Sequence, residues 1–318
     1  MTVQPSTSFR LAAVFAAALT TAALTACAQQ PDPLDGIPAF AIDQANVRVV
    51  EVGNNPRLLT ASADHTNEAP WDTTVVVSRG ITQEVATTNE VDLTAPAEGE
   101  VASTTLPLTI RTGHAPEPGP GEDTAERRID FEVGTATHSA PELNSDVATA
   151  AGFLMSWRTL LNGAVGTLKL MAPEGSNTEG REAVESALLA LTSANVIFPA
   201  EPVGVGGSWT VDSRVTGAAA MLRTTTYTVE RLEGDTVALK VDIQQRPTQR
   251  SISLDGTEGG DSLEVAGSST FSEGEITVDL SRPVPVGGGF QATTRVLYTG
   301  PGDNKIVQDI TTAINYGG

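Results

Sequence analysis

The single cysteine of this 318-residue chain, Cys27, stands directly behind an apolar run from Leu11 to Leu24 that follows Arg10. A basic residue, a short apolar segment and small residues at the junction have the three-part form of a secretory signal. A membrane-spanning helix would need about 20 apolar residues, and this run carries Thr20, Thr21 and Thr25 near its end. An exported chain with one thiol makes no internal disulfide, so its fold must rest on core packing and backbone pairing alone. The roughly 290 residues that follow the signal suffice for one large β-rich domain.

The pattern downstream is alternation. Val237, Leu239, Val241 and Ile243 alternate with Thr236, Ala238, Lys240 and Asp242, which is the period of a half-buried strand. That strand, over 236–245, is expected to pair with 221–231 across Glu233-Gly234-Asp235. Two further strands, 262–272 and 275–280, are expected to turn at Glu273-Gly274, and 290–298 to turn through Gly300 to Asp303 into 305–316, where Ile306, Ile310 and Ile314 share a face. Earlier strands fall at 45–52, 57–61, 73–78, 81–87, 104–111 and 128–133. Asn162-Gly163 between the apolar runs 153–161 and 164–171 predicts a hairpin. The apolar spacing of Val184, Leu188 and Leu191 predicts a helix over Thr178–Ser193, with Ser176 and Glu179 as a capping box, and a short helix fits within 143–151. The proline- and glycine-rich stretch 113–121 reads as a mobile surface loop.

An antiparallel sheet has to cover the apolar stripe of that helix, so the expected fold class is α+β and β-dominated, a curved antiparallel β meander packed on one clear helix. The expected organisation is a signal peptide over 1–26, a lipidated tether over 27–38 and a single β-rich extracytoplasmic domain over 39–318. Two lobes joined near 140–198 are the alternative.

Leu24-Thr25-Ala26-Cys27 resembles the lipobox of bacterial lipoproteins at all four positions. The resemblance implies that the Cys27 thiol is lipidated and becomes the first residue of the mature chain, making the bilayer its partner and the outer face of the cell membrane its place. Several acyl chains hold a protein to a bilayer where one does not. Ordinary cleavage within Ala26-Cys27-Ala28 is the competing reading, and the bulky Leu24 fits it less well. A second resemblance lies at Phe198 to Trp209, where FPxxPVGVGxxW is similar to a segment of an uncharacterised family of exported bacterial proteins, many of them lipoproteins. It implies a β-rich C-terminal half after a helix and no activity. Physically, Pro199 and Pro202 fix an extended crossover and Trp209 is an apolar anchor at the start of the next strand.

Charge and motifs narrow the function classes. Removing residues 1–26 takes away Arg10 and no acid, so the net charge moves from -20 to -21. Such a surface repels phosphate backbones, and nucleic acid is excluded as a partner. There is no HExxH, Gly-x-Ser-x-Gly or Walker loop. In Gly204-Val205-Gly206-Gly207, Trp209 occupies the third glycine position of a dinucleotide fingerprint. Lys169, Lys240 and Lys305 have Gly166, Val237 and Gly302 three residues before them, so no Ser-x-x-Lys dyad exists. His65, His114 and His138 stand apart in polar segments and read as solvated. Asp255, Glu258 and Asp261 lie in a glycine-rich loop without EF-hand order and read as a hairpin tip rather than a calcium site. Met155, Trp157 and Leu161 read as core rather than as the lining of a lipid cavity.

The sequence thus offers Cys27 as a lipidation site and no catalytic residue, cofactor or metal ligand. Curved sheets wrapped on a helix occur in lipoproteins that carry lipids or glycolipids, a fold-level analogy. It yields a first reading, a non-enzymatic membrane-anchored protein with an apolar ligand cavity. The second is a structural or interaction lipoprotein presenting an acidic β surface to the cell envelope, and an enzyme is third. Cys27→Ala is expected to abolish acylation and to leave the protein in the medium or as an uncleaved precursor. Metabolic labelling with an acyl analogue checks this, and a labelled mutant would refute it.

Overall fold

The computed structural model describes residues 32–61, 69–86, 91–215, 220–253, 262–300 and 304–317. In chain order these form β1 (Phe40–Ala41), β2 (Asn46–Glu51), β3 (Asn54–Arg57), β4 (Trp71–Ala86), β5 (Ala102–His114), β6 (Arg127–Val133), β7 (Thr137–His138), α1 (Asn144–Ala148), β8 (Leu154–Thr159), β9 (Val165–Met171) and α2 (Thr178–Ser193). Then follow β10 (Val203–Val205), β11 (Ser208–Val215), β12 (Met221–Glu233), β13 (Thr236–Pro247), β14 (Ser251–Ser253), β15 (Ser262–Asp279), β16 (Gly287–Thr299) and β17 (Lys305–Tyr316). The architecture is β-dominated, with one large antiparallel sheet.

The strands from β4 to β9 make one meander and those from β11 to β17 a second. β17 returns to β4 and pairs with it from Lys305↔Ala86 to Tyr316↔Val75. The two meanders are therefore one sheet, in the order β1-β9-β8-β6-β5-β4-β17-β16-β15-β13-β12-β11-β2. Its two edge strands, β1 and β2, are consecutive in the chain and joined only by residues 42–45. Laid flat, thirteen strands would set their edges about 58 Å apart. The link from Ala41 to Asn46 spans about 18 Å at most. The sheet must bend round until its edges approach. α2 crosses the same opening, since it follows β9, next to one edge, and leads by way of residues 194–207 to β11, next to the other.

α2 buries Val184, Ala187, Leu188 and Leu191, the stripe predicted by their spacing, and packs on β4 and β5. Its cap is not the expected box. Asn177, in extended backbone, accepts from the Gly180 amide at 2.8 Å, while the Ser176 hydroxyl donates to Pro173 O at 2.8 Å. Ser176 stands one residue before the N-cap, and Asn177 also donates from Nδ2 to Asp146 Oδ1 of α1 at 2.6 Å. The hairpin at Asn162-Gly163 forms between β8 and β9. Gly163 N donates to Leu160 O at 3.0 Å, and Gly163 alone takes positive φ, at 91°, as in a type I turn closed by a glycine bulge.

One expected turn is absent, and two strand segments expected to be separate are one strand. β15 runs through Glu273-Gly274 without a break, and β4 runs through Arg79-Gly80. Both glycines serve close approach instead. A Cβ on Gly274 would collide with Phe290 on β16, and one on Gly80 with the Glu100 carbonyl. The loop expected to be mobile around 113–121 is pinned, because Arg158 donates from Nη2 to Pro116 O and from Nε to Asp123 O, each at 2.8 Å. The tether expected over 27–38 is docked from Asp32 onward. Asp32 pairs with Arg128, Leu34 is 2% exposed, and Lys169 Nζ lies 3.4 Å from Leu34 O.

One contiguous core runs through both meanders and both α-helices. Met155 and Trp157 belong to it as core residues; Trp157 Nε1 donates to Thr192 Oγ1 of α2 at 3.1 Å, and its ring centroid is 4.5 Å from that of Phe131. Trp209 is 0% exposed, donates from Nε1 to Ile197 O at 2.9 Å and stacks on Tyr227 at 5.2 Å. It pairs with Tyr227 on one side and Val49 on the other, so it sits where the edge strand β2 joins the second meander. Trp209→Ala leaves a cavity at that junction and is expected to cost about 3 to 5 kcal/mol. Chemical denaturation followed by far-ultraviolet circular dichroism reads this directly, and an unchanged midpoint would refute it.

Candidate functional site

Where α2 and the 42–45 link face the inner side of the second meander, they flank an open-mouthed cavity of about 1240 Å³. That exceeds the usual 300–1,000 Å³ of a small-molecule pocket. Its apolar wall is made by Val211, Tyr227, Val241, Ile243, Phe290 and Ile314, none more than 7% exposed. Alternation puts them there. In β12 the buried positions are Met221, Arg223, Thr225, Tyr227 and Val229, and in β13 Val237, Leu239, Val241 and Ile243. Registered pairs set them side by side across the two strands, Tyr227 with Val241 and Thr225 with Ile243.

One member of that inward series is charged. Arg223 is 5% exposed and lies opposite Gln245 in the register. With the Gln245 amide oriented so that its oxygen faces the guanidinium, it accepts from Arg223 Nε at 2.8 Å and Nη2 at 2.9 Å. Its nitrogen then donates to Thr294 Oγ1 at 3.2 Å; the opposite orientation would set two donors against each other. Arg223 Nη1 lies 3.4 Å from Ser193 O at the end of α2. No carboxylate pairs with it among the described residues. Burial, with a smaller contribution from Arg79, lowers its pKa to about 10, so it stays cationic at neutral pH. The neighbouring phenols do not neutralise it, because burial pushes the pKa values of Tyr227 and Tyr316 upward and keeps both protonated.

The mouth is also basic. Arg79, exposed on β4, donates from Nη1 to Ser186 Oγ on α2, and Arg214 is exposed at the end of β11. Five of the chain's 19 basic residues line the cavity against four of its 39 acidic ones. Two of the five are satisfied by neighbours, since Arg158 pairs with Glu122 and Arg181 with Glu185. The remaining three, Arg79, Arg214 and Arg223, have no carboxylate partner among the described residues.

Of the histidines singled out in the sequence, His114 and His138 are described, and neither lines the cavity. Cys27, His65, Asp255, Glu258 and Asp261 lie outside the described residues. His138 Nδ1 accepts from Ala140 N at 3.1 Å and pairs by register with Thr104 of β5. His114 is ten residues farther along that strand, about 33 Å away. No group of three or more His, Cys, Asp or Glu side chains gathers among the described residues. The residue that sequence reasoning passed over is Arg223. Its signal was present, because it falls on the same phase as Met221, Thr225, Tyr227 and Val229, where an apolar or small side chain is expected.

The model of a family of unknown function (DUF6263) matches residues 181–282. That stretch is similar to the family and carries most of α2, the Phe198 to Trp209 segment, β11, β12, β13 and β15, and so much of the cavity wall. No curated protein matches the chain.

Beside the cavity, Glu122 holds Lys169 Nζ at 2.7 Å and Arg158 Nη1 at 3.2 Å, and accepts from Gly119 N at 3.0 Å. Burial pushes its pKa up, but the Lys169 and Gly119 hydrogen bonds and the two cationic charges outweigh burial and hold it below the usual carboxylate value. A depressed carboxylate contributes stability above its unfolded pKa of about 4.3 and loses it as pH falls through the lower folded value. Glu122→Gln is therefore expected to cost about 1.5 to 3 kcal/mol at neutral pH and to flatten the loss of stability between about pH 5 and 3. Thermal melts across that range measure both effects, and parallel wild-type and mutant curves would refute the second.

Proposed function

We propose that this protein is an exported lipoprotein, anchored through Cys27 at the outer face of the cell membrane, that binds an amphiphile and shelters its apolar part between α2 and the bent sheet. The observation that carries this reading is the cavity of about 1240 Å³ walled by inward-facing Val, Ile, Phe and Tyr side chains. A core built only for stability fills such a space, since protein interiors pack to the density of organic crystals. The resemblance of Leu24 to Cys27 to a lipobox supports the reading, since an acylated Cys27 would hold the protein beside a source of lipids, and the antiparallel sheet packed on α2 supplies the shell. The binding role needs no catalytic group.

The test uses the mature chain carrying Cys27→Ala, so that its own acyl chains do not compete. The neutral apolar fluorophore N-phenyl-1-naphthylamine is expected to bind with a micromolar Kd. Ala190→Trp, which projects a large ring from α2 into the cavity, is expected to weaken binding at least tenfold with the circular dichroism spectrum unchanged. Native mass spectrometry of the same protein is expected to show co-purifying lipid. Absence of both probe binding and lipid would overturn the proposal and leave the structural envelope protein as the better reading.

A further inference from the structure

We propose that the ligand of this cavity carries an anionic oxyacid head, a carboxylate or a phosphate, and that Arg223 with Arg79 forms the seat for it. The inference rests on the binding role proposed above and specifies its chemistry. A guanidinium presents five N–H groups. In Arg223 three are directed at protein acceptors, two at the Gln245 oxygen and one at Ser193 O. One N–H on Nη1 and one on Nη2 remain, and the oxygens of a carboxylate or phosphate are the acceptors a guanidinium takes most strongly.

The surroundings leave that pair an anion to find. Arg223 is 5% exposed with no carboxylate partner among the described residues, and its neighbour Arg79 adds a second positive charge. Buried charges in proteins are ordinarily paired. The other titratable groups lining the cavity do not supply the counter-charge: Glu185 pairs with Arg181, while Asp43, Asp123 and Glu182 make no ion pair with Arg223. In a chain of net charge -20, an unpaired cation held at the apolar wall is a local inversion of sign. It selects an anionic head and rejects a cationic one, while Val241, Ile243 and Ile314 beside it receive an alkyl chain.

Competition experiments with the mature chain carrying Cys27→Ala test this, using dodecanoate, dodecyl phosphate, dodecanol and dodecyltrimethylammonium against N-phenyl-1-naphthylamine. Dodecyl phosphate is also titrated directly by calorimetry. Either anion is expected to bind at least tenfold tighter than dodecanol, with the cation weakest, and the tighter anion identifies the head class. Arg223→Met is expected to abolish the preference while dodecanol binding persists. If that variant does not fold, Arg79→Gln at the exposed mouth is expected to reduce the preference severalfold by itself. Equal binding of dodecanol and both anions would overturn the anionic seat and leave the apolar cavity standing. A preference that survives in each folded variant would also overturn it. No binding of any compound by either measurement would overturn the binding role itself.

Discussion

Four residues, 42–45, join the two edges of the sheet, and the rest of the architecture follows from how short that link is. A thirteen-strand order cannot lie flat when its first and last strands are tied so closely, and the twist native to antiparallel strands supplies the bend. Bending gives the sheet an inside. The inside is too wide for side chains alone to fill, and α2, drawn across the same opening by its own connections, occupies part of it. What remains is a cavity lined by the link, the helix and the second meander.

The inner face changes character along its length. Around Trp157, Phe131 and Trp209 it is filled core, tied to α2 through the Trp157 to Thr192 hydrogen bond. Past Tyr227 the same series reaches Thr225 and Arg223, and packing gives way to a polar seat. Burying a cation is costly, and replacing a buried charge by an apolar side chain of similar size is often neutral or stabilising. Arg223 therefore adds little to folding. Its place at the wall of a cavity accords with the proposed role in binding, and the basic mouth formed by Arg79 and Arg214 extends the same field outward in a strongly acidic chain.

Much of the secondary structure was legible locally. The alternation at 236–245 sits inside β13, the apolar spacing over Thr178–Ser193 gave α2 its bounds, and Asn162-Gly163 gave the β8 to β9 hairpin. The errors came where a local signal had a non-local use. Gly274 looks like a turn residue and Gly80 lies between two apparent strands, but each permits a neighbouring chain to approach closely within a continuous strand. Ser176 resembles a cap until its hydroxyl is found on Pro173 O. The proline-rich segment after β5 has no packing of its own; Arg158, reaching across from β8, orders it.

The sequence by itself determined the single thiol at the end of an apolar run, the dominance of strands and which face of each strand points inward, because period and composition are properties of short stretches of chain. It also put Arg223 on an inward phase, without showing what that phase would face. Only the tertiary structure decided that β17 returns to β4, that the sheet bends until its edges are four residues apart, and that Gln245 and Ser193 take three of the Arg223 donors. Those outcomes depend on pairings between residues far apart in the chain. Local periodicity fixes the direction of a side chain, and long-range register fixes what it meets.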